Sequence, residues 1–377
     1  MKIVQANKAY LPHLGGVETI VRQISEGVAS QPDLESVVIA CSDARQTTQA
    51  TINGVQVTYV GTLSRAKSLP VSPSFTHHLL QQRADVLITH EPFLLPGISY
   101  LTRQQKMRHR FRHLVLWWHS DIVRQRTLRK VYEPLQRALL QEATAIVVAT
   151  PHHITSSEVL PHYKEKCRVI PFGIDPARFE LTGAVQQRVS DIKKQYHGPI
   201  ILFSGRLVYY KGAKYLVEAM QKVPEAHLIM VGNGPLLEEL QKLAEAGRGN
   251  VSFMPPVTDE ELNALYHACD IFVLPSVENS EAFGIVQIEA MACGKPVICC
   301  DLPTGVTYVN RDNETGLVVP RRDPEALANA IKLLVENDEL RGRLGTRARE
   351  RVMQEFTVNQ MVESLIALCK GFPYGHR

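Results

Sequence analysis

Short runs of β-branched and apolar residues alternate along the whole chain with stretches of helical period, and this alternation limits the folds open to it. It is typical of parallel sheets covered by helices on both faces. In the first half it predicts helices at 17–30 and 124–142 and strands at 2–7, 36–41, 55–60, 85–89, 113–118, 144–149 and 167–171. In the second half it predicts strands at 199–204, 227–231, 250–254, 270–274 and 296–300, and helices at 212–222, 234–247, 258–268, 283–293, 324–336, 339–354 and 357–370.

The length of 377 residues favours two domains, because single hydrophobic cores rarely grow that large. The stretch 172–198 has turn signals and no strand periodicity, so we interpret it as a linker. The predicted architecture is α/β, with two doubly wound, Rossmann-like domains at 1–171 and 199–355 facing a central cleft. The last stretch, 356–377, is predicted to be a helix that packs back towards the N-terminal domain.

Composition excludes several classes of protein. No run of eighteen apolar residues is present, which argues against a membrane span, and the N-terminus lacks the layout of a signal peptide, so we expect a cytoplasmic protein. The seven cysteines form no CxxC pair, which argues against a structural metal and disulfides. Residues 1–195 hold 24 Lys and Arg against 15 Asp and Glu, so this basic half is expected to meet something anionic.

The segment 276–297, SVENSEAFGIVQIEAMACGKPV, is the most informative part of the chain. A strand ends just before it, and a helix is predicted to open around Ala282, Phe283 and Gly284. The first amides of a helix have no intrahelical partner, so a diphosphate could bind there. Glu281 and Glu289 are eight residues apart, a little over two helical turns, so both carboxylates can project to the same side.

This segment resembles the donor-binding motif of the family-4 retaining glycosyltransferases, which have the GT-B fold. The resemblance implies that Glu281 and Glu289 bind sugar and ribose hydroxyls, and that the donor contacts the backbone from Ala282 through Gly284 to Ile285 and Val286. It also implies a nucleotide-sugar-binding C-terminal domain and an acceptor-binding N-terminal domain.

Other segments match the same family in order. GGVE at 15–18 places Gly15 and Gly16 at the start of a helix, where glycine permits close approach to a phosphate or an acceptor. FSGRLVYYKG at 203–212 places Gly205, Arg206 and Lys211 after a strand, matching the phosphate clamp of the family. VIPFGID at 169–175 and GNGP at 232–235 resemble its hinge and its next turn.

His119 follows the apolar run LVLWW, a place where a histidine is more often a packed residue than a catalytic one. The resemblance implies that it contacts the donor sugar. Pro256 and Val257 lie where the family's base pocket is lined, but the family often has a glycine in that loop and PNGVD where this hinge reads PFGID. The identity of the base is therefore left open.

The resemblance implies a retaining, metal-independent hexosyltransferase that needs no cofactor besides its nucleotide-sugar donor. His119, Glu281, Arg206 and Lys211 would be its catalytic residues, with no metal ligands, since the chain has no Asp-x-Asp motif placed to hold a metal on the diphosphate. GDP-mannose is the favoured donor and a UDP-hexose the alternative. The expected acceptor is a saccharide or a lipid-linked saccharide of surface polysaccharide biosynthesis.

Two further questions stay open at this stage. The cations of 103–113, with Arg124, Arg126, Arg129 and Lys130, fit either a solvated face or an anionic membrane surface on the inner side of the plasma membrane. Nucleic acid is not expected, because aromatic residues do not interleave with the cations.

Three rival interpretations remain: a nucleotide-sugar epimerase, a non-catalytic subunit of the same fold and a periplasmic-type sugar-binding protein. The third would need an export signal, which this sequence is not expected to have.

Overall fold

A computed structural model describes residues 1–12, 15–66, 69–119, 126–247 and 249–373. The chain divides into two compact units. The first consists of Met1–Phe172 together with Val358–Arg377, and the second of Gly173–Thr357. The helices of the described part are too short or too polar to cross a membrane.

The first unit is built on an eight-stranded sheet in the order β10-β9-β8-β7-β1-β2-β4-β3, in which only the β3–β4 pair is antiparallel. Two further short strands, β5 and β6, form a separate antiparallel pair. The strands are β1 (Lys2–Asn7), β2 (Glu35–Cys41), β3 (Thr48–Ile52), β4 (Val55–Val60), β5 (Ser64–Ala66), β6 (Leu69–Val71), β7 (Ala84–Glu91), β8 (Phe111–Trp118), β9 (Ala145–Val148) and β10 (Cys167–Val169).

The second unit is built on a six-stranded, fully parallel sheet in the order β13-β12-β11-β14-β15-β16. Its strands are almost wholly apolar, as expected for a sheet buried on both faces. They are β11 (Ile200–Ser204), β12 (His227–Val231), β13 (Val251–Met254), β14 (Ile271–Leu274), β15 (Val297–Cys300) and β16 (Gly316–Val319).

Helices cover the sheets and close most of the crossovers. They are α1 (Gly16–Ala29), α2 (Phe75–Gln81), α3 (Leu94–Thr102), α4 (Gln104–Arg110), α5 (Arg126–Glu142), α6 (Pro151–Ser156), α7 (Gly183–Gln195), α8 (Ala213–Met220), α9 (Leu237–Glu245), α10 (Asp259–Ala268), α11 (Ile285–Ala292), α12 (Val306–Val309), α13 (Pro324–Glu336), α14 (Asp338–Glu355) and α15 (Val358–Lys370). The fold is therefore the predicted one, with two Rossmann-like α/β units.

Residues 172–198 are not the linker that the sequence suggested. Thr182 caps α7 by accepting a hydrogen bond from the amide of Val185, and α7 packs on α10 inside the second unit. Val185 and Ile192, two turns apart, form its buried stripe. Gly183, a residue type that favours turns, is the first residue of this helix.

The structure assigns α15 to the first unit, where it packs on α1. Gly27 makes this contact possible, because a Cβ atom at that position would lie 2.5 Å from a methyl carbon of Val362. The C-terminal stretch therefore returns to the unit in which the chain began.

Candidate active site

The carboxyl ends of β11, β13 and β14 lie at one edge of the second sheet, because the strands are parallel. This is the edge at which open α/β sheets bind ligands. The loops at this edge carry the candidate residues of the second unit, namely Gly205, Arg206, Lys211, Pro256, Val257, Glu281, Ala282, Phe283 and Gly284.

Lys211 and Glu281 form an ion pair, with Nζ of Lys211 2.6 Å from Oε2 of Glu281. Their side chains are only 12% and 10% exposed, so each charge depends on the other for compensation. The hydroxyl of Ser276 donates to the same carboxylate oxygen over 2.9 Å. The structure therefore brings together two of the predicted residues, and each neutralises the other.

Backbone contacts between two loops position this pair. Gly212, directly after Lys211, has a left-handed φ of 66°, and a Cβ atom there would lie 2.0 Å from the carbonyl oxygen of Pro275. The amide of Val277 donates to the carbonyl of Tyr210 over 2.8 Å. The loop after β11 is thus fastened to the loop after β14, across the 70 residues that separate Lys211 from Glu281.

The glycines of the GNGP turn have a packing role. A Cβ atom at Gly232 would lie 2.0 Å from the carbonyl oxygen of Gly205, and one at Gly234 would lie 2.3 Å from that of Leu207. The amide of Leu207 donates to the carbonyl of Asn233 over 2.9 Å. These glycines let the turn support the loop that carries Arg206.

Arg206 is exposed on the same loop as Lys211. Within the described residues its guanidinium has no ion-pair partner. Arg206 is therefore the cation of this loop that is available to an anionic ligand.

The helix inside the segment 276–297, α11, begins later than predicted. It starts at Ile285, and Gly284 precedes it in a left-handed conformation with φ of 77°. A Cβ atom at Gly284 would meet Leu274 and Gln287, each at 2.7 Å, so glycine is required there for conformation and for space. The first-turn amides are those of Ile285 and Val286, and Ala282 and Phe283 belong to the preceding loop.

Glu289 lies on α11 and accepts a hydrogen bond of 2.7 Å from the hydroxyl of buried Tyr266. Burial raises the pKa of Glu289 above its ordinary value, and the Tyr266 hydrogen bond opposes this shift. Glu281 and Glu289 therefore have different partners: Glu281 is held by Lys211 and Ser276, and Glu289 by Tyr266.

Pro256 is exposed and Val257 half-buried in the loop after β13, next to Thr258, which caps α10. They lie at the predicted edge of the sheet. The structure gives them no polar contact that bears on a base pocket.

In the first unit, His119 lies just beyond β8 and is 9% exposed. Its Nε2 is 3.0 Å from Nδ1 of His90, its ring stacks on Phe172, and its amide donates to the carbonyl of Glu91. Burial, with a smaller contribution from His153, lowers the pKa of His119 to about 3. The ring is therefore neutral, packed and hydrogen-bonded.

Gly15 and Gly16 are exposed at the start of α1. A Cβ atom at Gly16 would meet nothing within 4 Å, and one at Gly15 would meet only the side chain of Glu18. Packing within the first unit therefore does not require glycine at either position. This leaves open backbone at a helix N-terminus.

The basic stretch is partly neutralised. Arg108 pairs with Glu142 at 2.6 Å and Arg112 with Asp85 at 3.2 Å. Further exposed cations, also in the described part, are Arg103, Lys106 and Arg110. Arg124 lies outside the described residues, as do the side chains of Arg126, Arg129 and Lys130 on α5.

Sequence reasoning missed the residues that hold the predicted ones. Ser276 lies inside the motif but no pattern marked it, and Tyr266 and His90 lie on other elements. All seven cysteines are buried free thiols. Among the side chains that the structure describes, no group of three or more His, Cys, Asp or Glu could hold a metal ion.

Comparison with known proteins agrees with this architecture. Residues 15–173 match the model of the glycosyl transferase 4-like domain, and residues 187–351 match that of glycosyl transferases group 1. The chain is 31% identical to O-antigen chain mannosyltransferase C of Escherichia coli, with 98% of each chain covered. It is 34% identical to the D-rhamnosyltransferase WbpZ of Pseudomonas aeruginosa, over 95% of this chain and 92% of that one.

Solved structures show the same fold. HepE of Anabaena in complex with UDP matches with a TM-score of 0.80 at 18% identity, over 99% of this chain and 100% of the other. Sucrose-phosphate synthase of Thermosynechococcus elongatus matches with a TM-score of 0.77 at 23% identity, over 98% of each chain. Since family models match both halves and relatives above 30% identity match over nearly their full length, the chain belongs to the family-4 glycosyltransferases of the GT-B fold.

Proposed function

We propose that this glycosyltransferase moves a hexose from a nucleotide-diphosphate sugar to a lipid-linked saccharide in surface polysaccharide biosynthesis. The relatives in Escherichia coli and Pseudomonas aeruginosa support this assignment, since one is named an O-antigen chain mannosyltransferase and the other a D-rhamnosyltransferase. The observation that carries it is the loop after β11, which presents Arg206 to solvent and holds Lys211 against Glu281.

In the proposed reaction, the bond between the anomeric carbon and the diphosphate oxygen breaks while the acceptor hydroxyl oxygen bonds to that carbon. The departing diphosphate accepts the proton of the hydroxyl, so the incoming and leaving groups share one face and the configuration is retained. Arg206, Lys211 and the first amides of α11 stabilise the negative charge that develops on the diphosphate. Glu281 and His119 orient the sugar.

Retention is tested by the product. The purified protein is incubated with an α-linked donor and a synthetic lipid-linked acceptor, and the new linkage is assigned by NMR. An α-linkage is expected. A β-linked product would contradict the proposed geometry of attack.

The proposed reaction needs no metal ion, because the side chains and amides of this chain supply the positive charge. Transfer is expected to continue at an unchanged rate in EDTA. If EDTA abolished transfer and Mg²⁺ or Mn²⁺ restored it, metal independence would be wrong, although the glycosyltransferase assignment would stand.

GDP-mannose is the donor we favour, because a mannosyltransferase is among the full-length relatives. A UDP-hexose is the alternative, supported by HepE structures that contain UDP and UDP-glucose. Thermal unfolding with GDP, UDP and ADP distinguishes them, since a nucleotide at a hundred times its Kd adds about 2.7 kcal/mol of stability. Stabilisation by UDP alone would replace the GDP assignment.

An epimerase or a non-catalytic subunit would have the same fold. Incubation of the donor without an acceptor distinguishes an epimerase from a transferase, because only an epimerase converts the donor to its epimer. The chain has all four predicted catalytic residues, His119, Arg206, Lys211 and Glu281, which argues against a non-catalytic subunit. Failure of transfer with every donor and acceptor tested would support a non-catalytic subunit.

We further propose that the enzyme works at the cytoplasmic face of the membrane and contacts anionic lipid through α4. Lys106 and Arg110 are exposed on this helix and Arg103 directly before it, and each cation near such a surface contributes about 1 kcal/mol. Exposed Ile98 on α3 lies close by in sequence. Cosedimentation with anionic liposomes should fall when the three cations become Gln, whereas unchanged cosedimentation would contradict this role.

A further inference from the structure

A chain of buried hydrogen bonds leads from the backbone of α1 to His119. Nε2 of Gln5 is 3.3 Å from the carbonyl oxygen of Val21, Oε1 of Gln5 is 2.9 Å from Nε2 of His90, and Nδ1 of His90 is 3.0 Å from Nε2 of His119. Gln5 and His90 are each 1% exposed. Water therefore does not compete for these bonds.

The first bond sets the direction of all the others. A carbonyl oxygen can only accept, so the amide nitrogen of Gln5 faces Val21 and the amide oxygen faces His90. An amide oxygen also only accepts, so Nε2 of His90 must carry a hydrogen. Because His90 is neutral, its Nδ1 is then a bare acceptor.

The same donor–acceptor argument applies to His119. Its Nε2 must donate to Nδ1 of His90, and in a neutral ring this leaves Nδ1 of His119 without a hydrogen. Burial is the main cause that lowers the pKa of both histidines, so both rings are neutral at physiological pH. Among the described side chains, Nδ1 of His119 has no hydrogen-bond partner.

We infer that Gln5 and His90 are positioning residues that hold His119 as a hydrogen-bond acceptor, so that its Nδ1 selects a ligand group carrying a hydrogen, such as a sugar hydroxyl. The nature of this ligand rests on the proposed function. The direction of the hydrogen bonds does not, because it follows from the Val21 carbonyl, the Gln5 amide and the neutral state of the two buried rings. A fluorine or an ether oxygen at the same place on the ligand would find no donor.

The tautomers can be measured directly on the full-length protein. Long-range ¹H–¹⁵N NMR of histidine-labelled enzyme at neutral pH separates Nδ1–H from Nε2–H rings, and His90→Asn and His119→Asn assign the two signals. Both rings are expected as Nε2–H tautomers. An Nδ1–H ring or a protonated ring at His119 would overturn the inference, whatever the outcome of any transfer assay.

Two variants test the role of the positioning residues. His90→Phe removes the acceptor of His119, and Gln5→Leu removes the acceptor of His90 while keeping both histidines. In each variant that retains the native fold by circular dichroism, His119 should lose its single tautomer. Persistence of the Nε2–H signal alone in both variants would contradict the relay. His162→Phe, at an exposed histidine of the same unit, is the control.

Donor analogues with single hydroxyls replaced by fluorine connect the relay to the ligand. The wild-type protein should discriminate against one analogue by roughly tenfold in kcat/KM, the order of one hydrogen bond. His90→Phe should reduce that factor towards one, and His162→Phe should leave it unchanged. Equal discrimination in His90→Phe and wild type would refute the selective role. Absence of transfer with every nucleotide sugar would instead refute the proposed function and leave the NMR result standing.

Discussion

The candidate residues of the two units are buried by opposite means. In the first unit, His119 is buried as a neutral ring in a chain of hydrogen bonds that begins at a backbone carbonyl. In the second, Lys211 and Glu281 are largely buried charges that compensate each other. Both arrangements avoid an isolated buried charge, which is very unfavourable in a protein interior.

The difference teaches what each unit can offer a ligand. A neutral relay gives direction, because every bond in it has a fixed donor and acceptor. An ion pair gives charge that a ligand can redistribute, since an anionic group such as a phosphate can compete with Glu281 for Lys211. The first arrangement suits the recognition of hydroxyls and the second suits the binding of a diphosphate.

The largest expected effect comes from breaking the ion pair. Lys211→Met leaves the Glu281 carboxylate buried without its cation, which should lower the free energy of unfolding by about 3–5 kcal/mol. Urea denaturation followed by circular dichroism measures this change. Adding Glu281→Gln to the variant should restore part of the loss, because it removes the uncompensated charge.

The matched control for this substitution lies three residues further along the chain. Lys214 pairs with Glu218 at 3.9 Å and its side chain is 52% exposed, so Lys214→Met should change stability by less than about 1 kcal/mol. If Lys211→Met were no more destabilised than Lys214→Met, the described ion pair would contribute nothing. The contrast between the two units would then be lost.

Arg206 should behave differently from Lys211, because it is exposed and has no ion pair among the described residues. Arg206→Ala should lower kcat/KM on the order of 100-fold, as for one preorganised donor at a developing charge. Its free energy of unfolding should change by less than about 0.5 kcal/mol. Arg347→Ala, at an exposed arginine of α14, is the control for both measurements. An unchanged kcat/KM would contradict the proposed role of Arg206 in binding the diphosphate.

Sequence periodicity predicted most of both sheets, and its failures have physical causes. β3 was missed because TQATI is polar and almost wholly exposed at the sheet edge, so no buried face marks it. β16 was missed because it is four residues long and begins with glycine. In α7 only Val185 and Ile192 are buried, too sparse a pattern to outweigh the turn signals around it.

The site was predictable as a set of residues but not as a set of contacts. The motif at 276–297 located Glu281 and the segment at 203–212 located Lys211, and the family resemblance assigned them to different parts of the donor. Their pairing depends on the backbone contact of Gly212 with Pro275, which no local pattern records. The relay behind His119 was also missed, because Gln5 and His90 lie on β1 and β7, far from His119 in sequence.

The neutral relay should make the protein sensitive to acid. The pKa of His119 is about 3 in the folded protein and near 6.5 when unfolded, so between these values only the unfolded chain binds the proton. The contribution of this ring to the free energy of unfolding is fully present above about pH 6.5. Below that pH it falls by up to about 1.4 kcal/mol per pH unit. His119→Gln should flatten this dependence between pH 6.5 and 5, measured by urea denaturation. His162→Gln should retain the wild-type slope, and equal slopes in all three proteins would contradict the burial of a neutral ring.

Glu289 should change the pH dependence of stability less than His119 does, and in the opposite direction. Burial raises its pKa in the folded protein, so just above the ordinary carboxyl range the folded state keeps a proton that the unfolded state has lost. Its contribution to stability is therefore present at low pH and lost as the pH rises through the folded-state pKa. In Glu289→Gln the unfolding free energy should rise more steeply with pH across this window than in the wild type. An identical slope would mean that the Tyr266 hydrogen bond, which favours the charged form, cancels the effect of burial on the pKa of Glu289.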